Sequence, residues 1–134
     1  MPGIDKMPTN DSITERAMKI STEAASVGFD WENPMDVLDK IVEELAEIRM
    51  AFREEYPDLR VEEEVGDLFF ALVNFCRKMQ FDPAHAFDAG VQKFERRFEA
   101  LRSIVEQSGK SMSDLSSQEL EEIWRTVKMR EKNG

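Results

Sequence analysis

The 134-residue sequence has only one cysteine, Cys76, and one histidine, His85. A single cysteine excludes an intramolecular disulfide, and one Cys with one His does not make a Cys/His zinc site. Long uncharged apolar runs are also missing, so no transmembrane helix is predicted. The N-terminal residues lack the basic and apolar regions of an export signal. These absences predict a cytoplasmic protein without a membrane partner. His85 lies in the first turn of a predicted helix and is expected to be a surface residue, not a catalytic one.

Basic residues are outnumbered as well. The chain has 18 Lys and Arg residues against 28 Asp and Glu residues, which gives a net charge of -10. Proteins that bind nucleic acid need a basic surface to neutralise phosphates, so helicase, repressor and RNA-binding functions are not expected. An acidic protein that handles a polyphosphate needs divalent cations, locally placed Lys and Arg residues, or both.

No segment has the pattern of a β-strand, and apolar residues recur instead at helical spacing in five segments. Residues 1–11 show no such period and are predicted to form a mobile tail, followed by a single domain over residues 12–131. Three of the predicted helices begin with capping signals, which are Ser12 with Glu15, Asn33-Pro34 and Asp82-Pro83. The sequence therefore predicts an all-α protein, a helical bundle of four main helices plus a short fifth.

The third predicted helix, from about Leu59 to Met79, is apolar nearly all round its axis in its second half. The residues responsible are Leu68, Phe69, Phe70, Leu72, Val73 and Phe75. A helix of this kind is buried, here between the other helices and a second subunit. We therefore expect a homo-oligomer that is at least a dimer.

Two acidic segments carry the candidate chemistry, Glu43-Glu44-Leu45-Ala46-Glu47 and Glu62-Glu63-Glu64-Val65-Gly66-Asp67. Residues three apart on a helix lie one turn apart on nearly the same side, so Glu44 can pair with Glu47, and Glu64 with Asp67. A short link makes the two helices antiparallel neighbours, which predicts a box of four carboxylates. Such a box suits Mg²⁺ or Mn²⁺, although acidic clusters are more often solvated, as we expect for Glu62 and Glu63. Asp67 directly precedes the apolar run, so it is predicted to enter the core, where a lone carboxylate is costly.

Further polar and aromatic residues have two interpretations each. Lys93 and Arg97 stand four residues apart and could hold one phosphate, or form a solvated basic pair. Trp124 and Lys128 have the same spacing and could stack on a base and hold a phosphate, although core packing is favoured for the tryptophan. Asn74 lies seven residues after Asp67 and could bind a sugar or base, or be a satisfied polar group in the bundle. For Trp31, lining a pocket and covering a hydrophobic edge are equally supported.

The segments KIVEELAEI and EEEVGDLFFALVNFCRK together resemble the EExxE…ExxD signature of the MazG-type, all-α nucleotide pyrophosphohydrolases. The resemblance extends through VGFDW at 27–31, KFERRF at 93–98 and EEIWRTVK at 121–128, and so covers about Ile13 to Lys128. It is greatest to the catalytic, C-terminal half of the two-domain MazG proteins. The single motifs are common in helices, but their order here is specific.

The resemblance implies a Mg²⁺-dependent hydrolase, with Mn²⁺ as a possible substitute, that converts a nucleoside triphosphate (NTP) and water into NMP and pyrophosphate. It assigns the metal ligands to Glu44, Glu47, Glu64 and Asp67. It assigns roles in activity or substrate binding to Lys93, Arg97, Trp124 and Lys128. Glu43 is expected to assist a second metal ion or to orient water, and Glu43 or Glu47 to accept the proton of the attacking water. The implied role is house-cleaning of the nucleotide pool or adjustment of nucleotide levels under stress.

Two alternatives stay open. One is a relative within the same superfamily that is selective for dUTP or dCTP. The other is a non-catalytic helical oligomerisation module, in which the acidic residues are solvated and a metal ion leaves stability unchanged.

Overall fold

A computed structural model describes residues 11–133, which form five α-helices and, within that range, no strand. The helices are α1 (Ile13–Ser26), α2 (Pro34–Arg53), α3 (Asp58–Met79), α4 (Pro83–Gln107) and α5 (Ser117–Asn133), with a 3-10 turn at Met112–Asp114. The all-α prediction is therefore confirmed. The last helix is not short, since its 17 residues exceed the 14 of α1. No helix in the part of the chain that the structure describes is long and apolar enough to cross a membrane.

The helices begin where the capping signals predict. The Ser12 side chain accepts a hydrogen bond from the Glu15 backbone, and the Glu15 carboxylate accepts one from the Ser12 backbone, which is a complete capping box. The Asn33 side chain caps α2 by accepting a hydrogen bond from the Asp36 backbone N–H, with Pro34 as the first helical residue. The predicted tail of residues 1–11 lies outside the described residues, apart from Asp11, whose carboxylate pairs with Lys19.

Residue contacts divide the chain after His85 into two compact units. The first unit holds α1, α2, α3 and the first residues of α4. Within it, α2 and α3 pack along each other as a hairpin joined by residues 54–57, and α1 packs on α3. Its buried apolar residues, Val37 and Ala51 on α2 and Ala71 on α3, are accompanied by buried polar residues, which are Ser21, Glu44 and Asn74. The single domain over residues 12–131 stays a prediction.

The second unit consists of the rest of α4, the 3-10 turn and α5. Its core is formed by Leu101 and Val105 on α4 with Val127 on α5. Leu101 and Val105, in the C-terminal half of α4, are buried, whereas Phe87 and Phe94, nearer the start of the helix, are 65% and 58% exposed.

The apolar half of α3 is also partly uncovered in the single chain. Phe69, Phe70 and Leu72 are 60%, 40% and 43% exposed, since α1 and α2 cover only part of the helix circumference. The predicted burial all round α3 is therefore not achieved within one chain.

Candidate active site

Three of the four expected carboxylate ligands meet where α2 and α3 pack together. One oxygen from each of Glu44, Glu47 and Glu64 lies within 4.8 Å of the others. The two residues of α2 are three positions apart and so share one side of the helix, and the α2–α3 hairpin brings Glu64 to face them. Asp67 is not a member of this group, although its negative charge contributes to raising the pKa of Glu64.

Burial of the acidic residues differs from the prediction. Glu44 is only 4% exposed, whereas Asp67 lies on the surface of the chain. The buried side of α3 begins one turn later, at Ala71, so the expectation that Asp67 enters the core is wrong. The acid that enters the core is instead Glu44, which lies in the middle of α2.

Two buried carboxylate oxygens, Glu44 Oε2 and Glu64 Oε2, have no hydrogen-bond partner among residues 11–133. Buried oxygens of this kind are costly unless a partner compensates them. The pKa of Glu64 is raised, first by a hydrogen bond with Glu47, then by burial and by the charges of the neighbouring acids. Carboxylate oxygens are the ligands that hard divalent cations prefer, so the chemistry of this group fits Mg²⁺ or Mn²⁺.

A lysine contacts the group from its edge. Lys40 Nζ lies 3.1 Å from Glu44 Oε1 and 3.7 Å from Oε1 of the exposed Glu43. The hydrogen bond with Glu44 raises the pKa of Lys40, so the ammonium is charged. Lys40 is not among the residues predicted from the sequence, although its i, i+4 spacing to Glu44 could have indicated the contact.

A cavity of about 440 Å³ opens in the same unit between α1, α3 and the loop that joins α1 to α2. Its lining residues are Ile20, Ser21, Ala24, Phe29, Asp30, Trp31, Phe70 and Asn74. Trp31 thus lines a pocket, which decides between its two interpretations. Asn74 follows Asp67 by seven residues, about 10 Å along the axis of α3.

A hydrogen-bond chain holds the buried amide of Asn74. The Ser21 hydroxyl donates to Asn74 Oδ1, and Arg77 Nε donates to Ser21 Oγ at 2.6 Å. The amide oxygen is therefore engaged. No residue within the described range accepts a hydrogen bond from Asn74 Nδ2, so this group can donate to a ligand in the cavity.

The loop wall of the cavity is fixed by ion pairs. Arg77 donates two hydrogen bonds to the Asp30 carboxylate, and Lys78 Nζ binds both Asp30 Oδ2 at 3.2 Å and the Trp31 carbonyl at 2.7 Å. These contacts, led by the Arg77 hydrogen bond, lower the pKa of Asp30 to about 2. These bonds from Arg77 and Lys78 to Asp30 and Trp31, here called the Asp30 clasp, were not predicted from the sequence. Their residues do lie in the VGFDW segment and in the basic pair near the end of α3.

The remaining candidate residues lie in the second unit. Lys93 and Lys128 are exposed, while Arg97 Nε donates to Glu131 Oε1 at 2.8 Å. Trp124 packs on Phe94 with ring centroids 5.1 Å apart, which supports the packing interpretation. It also lines a second cavity of about 390 Å³, formed within this unit.

Comparison with known proteins agrees with these features. Residues 32–101 match the MazG nucleotide pyrophosphohydrolase domain, a range that includes the carboxylate group. The nucleoside triphosphate pyrophosphohydrolase of Escherichia coli K12 is 37% identical over 129 residues, which are 96% of this chain and 49% of that protein. The nucleoside triphosphate pyrophosphohydrolase/pyrophosphatase MazG of Thermotoga maritima is 38% identical over 113 residues, 84% of this chain and 42% of that protein.

The chain thus spans about half the length, or less, of the curated relatives it matches. The domain match nevertheless covers more than half of the 134 residues and contains the α2–α3 hairpin with its three clustered carboxylates. The chain therefore belongs to the MazG nucleotide pyrophosphohydrolase domain family.

Proposed function

We propose that this chain is a Mg²⁺-dependent pyrophosphohydrolase that converts an NTP or dNTP and water into the nucleoside monophosphate and pyrophosphate. The observation that carries the proposal is the group of Glu44, Glu47 and Glu64, in which two buried oxygens lack partners. The names of the Escherichia coli and Thermotoga relatives support the reaction class. The cellular role that we propose is house-cleaning of the nucleotide pool in the cytoplasm.

Glu44, Glu47 and Glu64 would hold the divalent cation, with Asp67 as a further ligand from the exposed side. A bound cation would supply charge neutralisation of the phosphate oxygens and lower the pKa of water. Mn²⁺ would serve as well, because it prefers the same oxygen ligands.

The protein side chains then position substrate and water. Glu43 or Glu47 would accept the proton of the attacking water, because neither is buried. Lys93, Arg97 and Lys128 are proposed to hold phosphate oxygens, with Arg97 exchanging its bond to Glu131 for one to a phosphate. Trp124 is likewise proposed to take part in substrate binding, a role that rests on the family resemblance.

The cavity beside α3 is proposed to receive the nucleoside. Asn74 in its lining lies about 10 Å from Asp67 along the helix axis, a separation that suits a nucleotide whose phosphates lie at the carboxylates. Phe29 and Trp31 offer aromatic surface for a base, and Asn74 Nδ2 offers one donor to a carbonyl oxygen or ring nitrogen. Every base carries such an acceptor, so this donor by itself does not select among bases. A dUTP- or dCTP-selective enzyme of the same superfamily is the second candidate, which the substrate panel below tests.

The test is a panel of NTPs and dNTPs with Mg²⁺, with the products identified by phosphorus NMR. We expect nucleoside monophosphate and pyrophosphate, and no turnover in EDTA. Formation of NDP and orthophosphate would show that the reaction class is wrong. Activity confined to dUTP or dCTP would support the second candidate.

A matched pair of variants tests the carboxylate group. Glu44→Gln should lower kcat by at least about a hundredfold, because it removes a charged ligand from the buried part of the group. Glu63→Gln removes the same charge from the exposed side of α3 and should leave kcat within about twofold. Equal activity of the two variants would count against the site.

We also propose that the working unit is at least a homodimer that uses the uncovered apolar side of α3. Phe69, Phe70 and Leu72 are large and partly exposed in the single chain, and such a surface favours association. The rival interpretation, a non-catalytic oligomerisation module, shares this surface but predicts that Mg²⁺ changes neither stability nor activity.

A further inference from the structure

We propose that Lys40 is a positioning residue, whose ammonium binds one oxygen of Glu44 and leaves the other oxygen directed to the cation. The inference rests on the divalent-cation site proposed above. It adds a residue that neither the acidic motifs nor the comparisons assign.

The two oxygens of Glu44 have different surroundings. Oε1 lies 3.1 Å from Lys40 Nζ, whereas Oε2 is buried without a partner among residues 11–133. The Glu44 side chain is 6% exposed and that of Lys40 is 37% exposed, so the lysine reaches the carboxylate from the rim. A carboxylate held at one oxygen has lost rotational freedom, and its second oxygen is presented in one direction.

The local charges allow the ammonium to stay beside a bound divalent cation. Glu44, Glu47, Glu64 and the nearby Asp67 carry up to four negative charges, of which one divalent cation balances two. The negative charge that remains on the carboxylates attracts the Lys40 ammonium and favours its contact with Glu44 at the rim of the site. The opposite interpretation, that Lys40 competes with the cation for Glu44, predicts a change of the opposite sign when the lysine is replaced.

The experiment measures the Kd of Mn²⁺ by titration calorimetry on the full chain without nucleotide. Lys40→Met keeps the apolar stem and removes the ammonium, and its Kd should rise by about tenfold or more, as is typical for loss of a residue that orients a ligand. Lys40→Arg restores a charged donor and should return the Kd to within about threefold of wild type. Arg49→Met removes a positive charge from an exposed position of the same helix and should leave the Kd within about twofold.

Circular dichroism melting in metal-free buffer establishes that each variant is folded during the titration. If Lys40→Met does not fold, Lys40→Gln takes its place, with the same expected loss of affinity. An unchanged or tighter Kd in the variant that lacks the ammonium would overturn the inference. If the wild-type chain binds Mn²⁺ and Lys40→Met binds it with the same Kd, the cation site stands and the role of Lys40 falls. If the wild-type chain binds no Mn²⁺, both fall.

Discussion

Ser21 on α1 donates its hydroxyl hydrogen bond to the side-chain oxygen of Asn74 on α3. Both residues are buried, and both line the cavity proposed for the nucleoside. The bond joins two helices and also decides which end of the Asn74 amide is available to a ligand. If the cavity receives the nucleoside as proposed, helix packing and substrate binding would both depend on this pair.

Replacing Ser21 with Ala tests this double role. The free energy of unfolding should fall by about 1–2 kcal/mol, because Asn74 Oδ1 loses its buried donor. The KM should rise severalfold with kcat nearly unchanged, since an amide that can turn no longer presents one fixed donor. Urea unfolding and steady-state kinetics measure the two effects. Thr22→Ala, at the exposed neighbouring position, is the control and should change neither quantity.

The Asp30 clasp predicts a pH dependence of stability. Its hydrogen bonds with Arg77 and Lys78 lower the pKa of Asp30 to about 2 from the ordinary value of 3.8. A carboxyl group with a lowered pKa contributes stability that is fully present above the ordinary value and is lost as the pH falls from about 4 to about 2. We therefore expect the clasp to weaken only under acidic conditions.

Asp30→Asn measures the size of that contribution. Because the Asp30 side chain is 20% exposed and its ion pairs are partly screened, we expect a loss of about 1–2 kcal/mol at pH 6. The difference from wild type should shrink when urea unfolding is repeated near pH 2.5. Asp39→Asn, on an exposed part of α2, is the matched control. A difference for Asp30→Asn that is equally large at both pH values would contradict the ionic origin of the effect.

The crowded carboxylates predict that a divalent cation stabilises the fold. A hydrogen bond with Glu47, burial and neighbouring charges raise the pKa of Glu64, so the metal-free protein should lose stability as the pH rises above the ordinary value of 4.5. A hundredfold excess of Mg²⁺ over its Kd at neutral pH should raise the melting temperature by about 5–10 °C. Glu64→Gln should melt higher than wild type in EDTA and gain little from Mg²⁺. A wild-type melting curve that Mg²⁺ leaves unchanged would favour the oligomerisation module.

The helices and the pairing of the acidic motifs could be predicted because local signals specify them. Ser12 with Glu15 and Asn33 with Pro34 determine helix starts from within a few residues, and the i, i+3 spacing of Glu44 and Glu47 fixes their common side. The family signature depends on the same local spacing, so the resemblance was visible in the sequence.

Burial and long-range partners could not be predicted in the same way. Whether Glu44 or Asp67 is buried depends on which parts of α2 and α3 are covered by neighbouring helices. The spacing of residues within one helix does not encode that. The Asp30–Arg77 pair joins residues 47 positions apart, and its strength comes from the loop conformation rather than from a motif. Lys40 lies between these cases. Its i, i+4 spacing predicts a contact with Glu44, but the sequence does not distinguish that contact from an ordinary ion pair on a helix surface.

The uncovered side of α3 gives the last prediction, on assembly. Phe69 is 60% exposed in the middle of that helix, with Phe70 and Leu72 partly exposed beside it. Burying side chains of this size against a second copy stabilises a dimer by about 1.5–3 kcal/mol each. Phe69→Glu would instead place a charge in that contact, which is costly without a partner. We expect its dimer Kd to rise by about a hundredfold or more, and Phe69→Leu to keep the association. Sedimentation equilibrium at micromolar concentration should give at least twice the 15.5 kDa monomer mass for wild type and the monomer mass for Phe69→Glu. A fully active wild-type monomer under these conditions would contradict the prediction, because the exposed side of α3 would then need no second copy.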